Sequence, residues 1–263
     1  MKSIQLKLLF VLLLIPAVGF IWVNSPQNST ESSTGINIEG AWFVSSMNGE
    51  TAPEGVKVMR LISDDYSMFA VYNLEEKQFI AAGGGSYKID GDRLTGRVDF
   101  DTQDTSNVGT NYDYKIEMPD ENTFAVSGEG PEGPFKVEMS RVDDSGNEMA
   151  GAYRISGRYR NGEMRQSRPG PRKTIKMLTG TRFQWAAINA KTKQFFGTGG
   201  GTYTVKDGKY TENIEFFSRD GSRVGASLEF EASLEGDDWS HKGKSSKGNP
   251  IHEIWTRNWN LHD

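Results

Sequence analysis

Along much of this chain, apolar and polar residues take turns one by one. Tyr210, Ile214 and Phe216 fall on one face of an extended segment, and Thr211, Asn213 and Glu215 fall on the other. Leu94, Val98 and Phe100 likewise oppose Thr95, Arg97 and Asp99. The next run repeats the pattern, with Val224, Ala226, Leu228 and Phe230 set against Arg223, Ser227 and Glu229, and with Val108, Tyr112, Tyr114 and Ile116 as its counterpart. A period of two is that of a strand with one face buried. Asp90-Gly91, Asp207-Gly208 and Asp220-Gly221 lie between the runs and read as hairpin turns. The pattern predicts about eight short antiparallel strands in each half and no long helix. Strongly amphipathic sets of that size close into barrels, which removes exposed edges.

The halves are copies. Gly83-Gly84-Gly85 falls on Gly199-Gly200-Gly201 at an offset of 116. At that offset Asn73, Lys77, Gln78 and Phe79 match Asn189, Lys193, Gln194 and Phe195. Asp104, Ser106, Val108 and Gly109 recur as Asp220, Ser222, Val224 and Gly225, and Pro134 and Arg141 recur as Pro250 and Arg257. At the front Gly40-Ala41-Trp42 matches Gly151-Ala152-Tyr153 at an offset of 111, so the second copy gains five residues before Lys173. Two similar domains are expected, at 36–143 and 149–259. The triple glycine lacks the Lys-Ser/Thr that a phosphate-binding loop needs, and glycine within a strand pattern marks a bulge or a barrel corner.

Lys2 and Lys7 precede a charge-free run from Leu8 to Val23, and a Ser/Thr/Asn-rich tract extends from Ser25 to Gly35. Residues 1–24 read as a signal peptide or membrane anchor and 25–35 as a linker, so the protein is expected outside the cytoplasm: periplasmic, secreted or anchored. There is no cysteine, which excludes disulfides and thiolate metal sites. Thirty glycines and 11% aromatic residues suit short strands and tight turns, and a net charge of −5 gives no footprint for nucleic acid.

Gly40-Ala41-Trp42 opening the first strand, with Arg141 on the last, resembles the lipocalin pattern, and Gly151-Ala152-Tyr153 with Arg257 repeats it. The resemblance implies a barrel end plugged by Trp42 under Arg141, and by Tyr153 under Arg257. A guanidinium stacks on an aromatic face while its fork bonds to carbonyls. The whole repeat is also similar to tandem lipocalin-like secreted and envelope proteins of the Bacteroidota. That resemblance implies an all-β chain of two tandem antiparallel lipocalin-like barrels, an apolar ligand cavity in some relatives, and no shared chemistry.

No Gly-x-Ser-x-Gly elbow is present, and His241, His252 and His262 have no counterparts in the first copy. No catalytic residue, metal ligand or cofactor is therefore assigned. The second copy is the richer in aromatics, and its candidate ligand-binding residues are Phe183, Trp185, Tyr203, Phe216, Arg219, Trp239 and Trp255. A barrel of eight strands either fills itself or holds one small ligand. Arg154 to Lys173 reads as a basic loop carrying Arg158, Arg160, Arg165, Arg168 and Arg172. These features point to three functions: a binder of a small hydrophobic or amphipathic ligand, a scaffold docking an acidic protein through that loop, and a barrel enzyme built on Glu215, Tyr203, His241 and His252.

Overall fold

The computed structural model describes residues 36–130, 133–168, 170–245 and 248–257. The leader and linker, and His262, lie outside the described residues. The first copy forms β1 (Gly40–Met47), β2 (Val56–Ser63), β3 (Tyr66–Asn73), β4 (Gln78–Asp90), β5 (Arg93–Asp101), β6 (Asn111–Asp120), β7 (Thr123–Gly130) and β8 (Gly133–Asp143). The second forms β9 (Gly151–Arg160), β10 (Glu163–Gln166), β11 (Arg172–Leu178), β12 (Arg182–Asn189), β13 (Gln194–Lys206), β14 (Lys209–Phe217), β15 (Ser227–Glu235), β16 (Asp238–Lys244) and β17 (Pro250–Thr256).

Each copy is a closed antiparallel barrel of eight strands. β8 returns to β1 in the first, β17 returns to β9 in the second, and β10 adds a ninth strand outside the second ring. The architecture fits a lipocalin-like fold. The expected loop at Arg154–Lys173 is corrected by this topology: most of it is strand. β9 runs through Arg160, turns at Asn161-Gly162 with φ of +53° and +81°, and pairs back along β10. An Asn-Gly pair with both φ positive is the turn that suits the twist of a two-residue hairpin. Asp220-Gly221 is likewise not a hairpin turn. Asp104 and Asp220 each accept a backbone N–H two residues on, from Ser106 at 2.8 Å and Ser222 at 3.0 Å, and each caps a short 3-10 turn.

The triple glycines mark a register slip. Gly84 pairs with Phe100 and Gly85 with Val98, so Asp99 is one residue too many; Gly200, Phe216, Gly201 and Ile214 repeat this around Glu215. A Cβ on Gly85 would fall 1.9 Å from the Arg97 carbonyl oxygen, and on Gly201 2.0 Å from that of Asn213. The slip also corrects the period-two reading of these strands. Beyond it Phe100 and Phe216 turn from the barrel interiors to the outer wall.

That outer wall is the seam between the barrels. Met59, Leu61, Met68, Tyr72 and Phe100 of the first pack with Ile175, Met177, Ile188 and Phe216 of the second in one buried cluster. The repeat-mates Phe79 and Phe195 stack on each other, centroids 6.4 Å apart, and Tyr72 stacks on Phe216 at 4.9 Å. Asp99 and Glu215, which the alternation assigns to a solvated face, are tied into the seam. Lys173 Nζ lies 3.1 Å from Asp99 Oδ2, and Tyr72 Oη and Arg182 Nη1 donate to Glu215 Oε2 at 2.5 and 2.7 Å.

Candidate ligand-binding site

One end of each barrel is covered by a ring and a guanidinium. Arg141 Cζ sits 4.1 Å from the Trp42 ring centroid, and its Nη1 donates to the Glu39 carbonyl at 2.7 Å. Arg257 Cζ sits 5.5 Å from the Tyr153 ring, with Nη1 donating to the Ala150 carbonyl at 3.1 Å. Trp42 Nε1 donates to the Ile38 carbonyl at 2.9 Å, and Tyr153 Oη reaches the Met149 carbonyl at 3.1 Å. Met149 matches Ile38 at the offset of 111, so the phenol replaces the indole at the same backbone acceptor.

Inside the second barrel, Phe183, Tyr203, Tyr210, Phe230, Trp239 and Trp255 form the apolar wall, with Trp185 partly buried against it. Four of the sequence candidates, Phe183, Tyr203, Trp239 and Trp255, therefore share one interior. Phe216 does not; it faces the seam. Arg219 is exposed, and its Nε is bonded to the Phe196 carbonyl at 2.5 Å.

Sequence reasoning misses the charges among these rings. Lys176 and Glu212 form a fully buried ion pair. The Lys176 ammonium lies 5.3, 5.0, 5.1 and 5.6 Å from the ring centroids of Phe183, Tyr210, Trp239 and Trp255. His241 is 3% exposed, with the Phe230 ring tilted against it at 3.9 Å between centroids and Glu253 Oε2 3.8 Å from its Nδ1. Glu253 in turn accepts from Arg158 Nε at 3.0 Å. A row of ionisable groups thus runs from Arg158, toward the end away from the plug, through Glu253 and His241 to Lys176 and Glu212 nearer the plugged floor. Neither ring nitrogen of His241, nor the indole N–H of Trp239 or Trp255, has a hydrogen-bond partner among the described residues. Each such buried polar atom costs about 1–3 kcal/mol unless something polar meets it.

Burial pushes the His241 pKa down, and Lys176 adds to this. Burial alone would raise Glu253, but His241, Arg158 and Lys176 together leave its carboxyl below the usual range.

The signal that could have found this cluster lies in the comparison of the copies. Lys176 aligns with Arg60 and Glu212 with Gly96. Pairing aligns His241 with Val126 and Glu253 with Val137, because Ala232 opposite His241 repeats Ile116 opposite Val126. At β7 the offset has dropped to 115, since one residue bulges out beside Pro119 in β6. A gapless comparison misreads the pair.

At the end away from the plug lies a groove of about 810 Å³ lined by Tyr159, Arg160, Arg165, Lys242, Lys244 and His252, among others; Lys242 and His252 alternate with the inward-facing His241 and Glu253 and so stand on the outer face of the sheet. Glu231, its one carboxylate, is engaged by Lys242 Nζ at 2.9 Å. His252 stacks on Tyr159 at 4.1 Å and its Nε2 lies 3.1 Å from Ser240 Oγ. The enzyme grouping is therefore not assembled: Glu215 is in the seam, Tyr203 and His241 are inside the barrel, and His252 is on the rim.

Fold and site together define a tandem β-barrel protein whose second barrel carries ionisable groups among its interior rings and a basic groove at the end away from the plug. Among solved structures the chain is similar to transferrin-binding protein B of Haemophilus parasuis, a vaccine antigen, at 8% identity and a TM-score of 0.22. The match covers 79% of this chain and spans 66% of that protein's length. No protein-family model matches the chain, and no curated protein does. No helix among the described residues is long and apolar enough to cross a membrane.

Proposed function

We propose that this is an exported protein whose second barrel binds a small amphipathic ligand by its anionic group. The observation that carries the reading is the basic groove at the end of the second barrel away from the plug. About 810 Å³ is within the range of small-molecule sites, roughly 300–1,000 Å³, and Arg160, Arg165 and Lys244 have no carboxylate opposing them within its lining. Tyr159 and His252 offer a flat apolar surface beside those charges. Export rests on the Leu8–Val23 run, and kinship with the Bacteroidota envelope proteins on the Gly-Ala-aromatic and arginine pairs.

The probe is 8-anilinonaphthalene-1-sulfonate, an anionic aromatic amphiphile. It is expected to gain emission on binding and to quench tryptophan, and charge reversal in R160E/R165E is expected to weaken it at least tenfold, about 1.4 kcal/mol. Equal binding of the uncharged N-phenyl-1-naphthylamine, or no loss in the double variant, would sink the reading.

A second reading has its own observation. Tyr159 and Met164, each 40% exposed, stand on the β9–β10 hairpin among Arg158, Arg160 and Arg165. Exposed aromatic and arginine side chains together are the usual anchors of protein interfaces, here for an acidic partner. Crosslinking in the native envelope, with a partner lost in M164E but probe binding kept, would favour it over the first.

A further inference from the structure

Closing both barrels leaves one strand edge open among the described residues. β10 ends its sheet, pairing with β9 alone, and all four of its residues are exposed. The pairing decides which backbone groups are free. Ser167 N–H donates to the Ser156 carbonyl at 2.7 Å, and hydrogen-bonded positions alternate along an antiparallel pair. Glu163 and Arg165 accordingly bond to β9, while the N–H and C=O of Met164 and Gln166 point outward. Side chains alternate as well: Met164 shares one face of the hairpin with Tyr159, and Glu163 and Arg165 share the other. Met164 leans over Gly157, where an added Cβ would fall 2.7 Å from its Sδ, yet it stays 40% exposed.

Short length and charged side chains are the usual means of blunting such an edge. On β10 the charges have opposite signs and flank Met164 symmetrically, in the order Glu163, Met164, Arg165. Neither charge has an ion-pair partner among the described residues, and Arg165 stands opposite a like charge, Arg158, which is already held by Glu253. An antiparallel strand of the same sequence centred on Met164 sets Glu163 of each molecule against Arg165 of the other. Opposite charges directly across an antiparallel pair are favourable and like charges are not. The flanking charges that deter other strands thus favour this one.

We propose that two molecules of this chain associate through β10, antiparallel and centred on Met164, about a two-fold axis. The two Met164 residues then exchange both backbone hydrogen bonds, and the sheets of two second barrels run on into each other. An edge of four residues buries less than about 1,200 Å², which makes this a weak dimer that forms at high protein concentration. The surface is separate from the ligand groove, whose lining does not include Glu163.

The chain has no cysteine, so a single introduced one reports its own neighbours. Across this axis the two positions 164 lie about 5.5 Å apart between Cα atoms, within disulfide range, while the two positions 163 lie diagonally, beyond the limit of about 7 Å. Met164→Cys in the full chain is expected to form a disulfide-linked dimer on mild oxidation, and Glu163→Cys is not. Sedimentation of cysteine-free protein should show self-association weakened about tenfold by Glu163→Arg or by Arg165→Glu, and restored when both are present, because the double exchange returns opposite charges to each pair. Crosslinking as fast at 163 as at 164, single reversals that leave association unchanged, or a monomer at every concentration would overturn the proposal.

Discussion

Lys176 shows how much energy one side chain can concentrate. Its ammonium is out of water, set against Glu212 and enclosed by four rings, so its attraction and its desolvation cost are both large. Deleting one partner leaves the other charge buried alone. Lys176→Met is expected to destabilise the protein by about 3–5 kcal/mol at neutral pH, and Lys176→Met with Glu212→Leu by much less, because the pair then leaves together. Denaturant midpoints of the three proteins check this; a single variant no less stable than the double would show that the pair is not isolated from water. His241 adds a pH dependence whose direction is set by its burial. The unfolded chain takes up a proton near 6.5, while the folded protein resists it to lower pH. Stability is therefore complete above 6.5 and falls as pH drops from there toward the depressed folded value. Glu253 is shifted down from 4.5, so its contribution is present above 4.5 and is lost only as pH falls below that. Denaturation midpoints at pH 7.5 and 5.5 should differ in the wild type, and His241→Gln should shrink the difference.

At the scale of the strand, the sheet is governed by where it stops being regular. Gly201 has φ +157°, and a Cβ there would sit 2.0 Å from the Asn213 carbonyl oxygen, so the bulge that turns Phe216 into the seam depends on glycine. Gly201→Ala is expected to cost about 3 kcal/mol or more. Gly49→Ala, at φ +82° with open space around it, should cost only about 1–2 kcal/mol, the left-handed penalty alone. Near-equal midpoints for the two variants would show that the close approach to Asn213 relaxes freely. The same bulge marks how far the fold is legible in the sequence. Alternation and the duplication yield two barrels, because burial on one face writes a period of two into any closed sheet. They do not yield the face of Phe216, because one extra residue reverses every side chain beyond it and the extra residue carries no signature but glycine opposite. The Asn161-Gly162 turn is a readable hairpin signal, masked by the arginines on either side of it. The candidate site is less legible still. Phe183, Trp239 and Trp255 stand out by composition, whereas Lys176, Glu212 and Glu253 look like any solvated charge until pairing places them on the inner row.

Across the whole molecule, the duplication is also a rule of packing. β4 meets β14 while β13 meets β5, and β2 meets its own counterpart β11, so the two barrels join through matching surfaces as halves of a two-fold dimer do. Gln184 Nε2 crosses the join to the Phe69 carbonyl at 3.1 Å, and Asp143 accepts the backbone N–H of Thr181 at 2.7 Å. The part of each barrel's wall that faces the seam is thus largely apolar, and neither can lose its neighbour without exposing Met68, Tyr72 or Phe216 to water. This has a consequence for cooperativity. Two domains that merely share a chain unfold in two steps, whereas two that share a core of this kind unfold in one. Intact protein is expected to give one transition, coincident by far-ultraviolet circular dichroism and by tryptophan emission, even though Trp42 lies in the first barrel and Trp185, Trp239 and Trp255 in the second. Phe216→Ala removes a fully buried ring that stacks on Tyr72, at a cost of about 3–5 kcal/mol. Because the ring belongs to the join and not to either interior, the loss should weaken the coupling itself and separate the transition into two. A single transition moved to lower denaturant, with both probes still coincident, would mean that the hydrogen bonds across the join hold the barrels together without the aromatic stack.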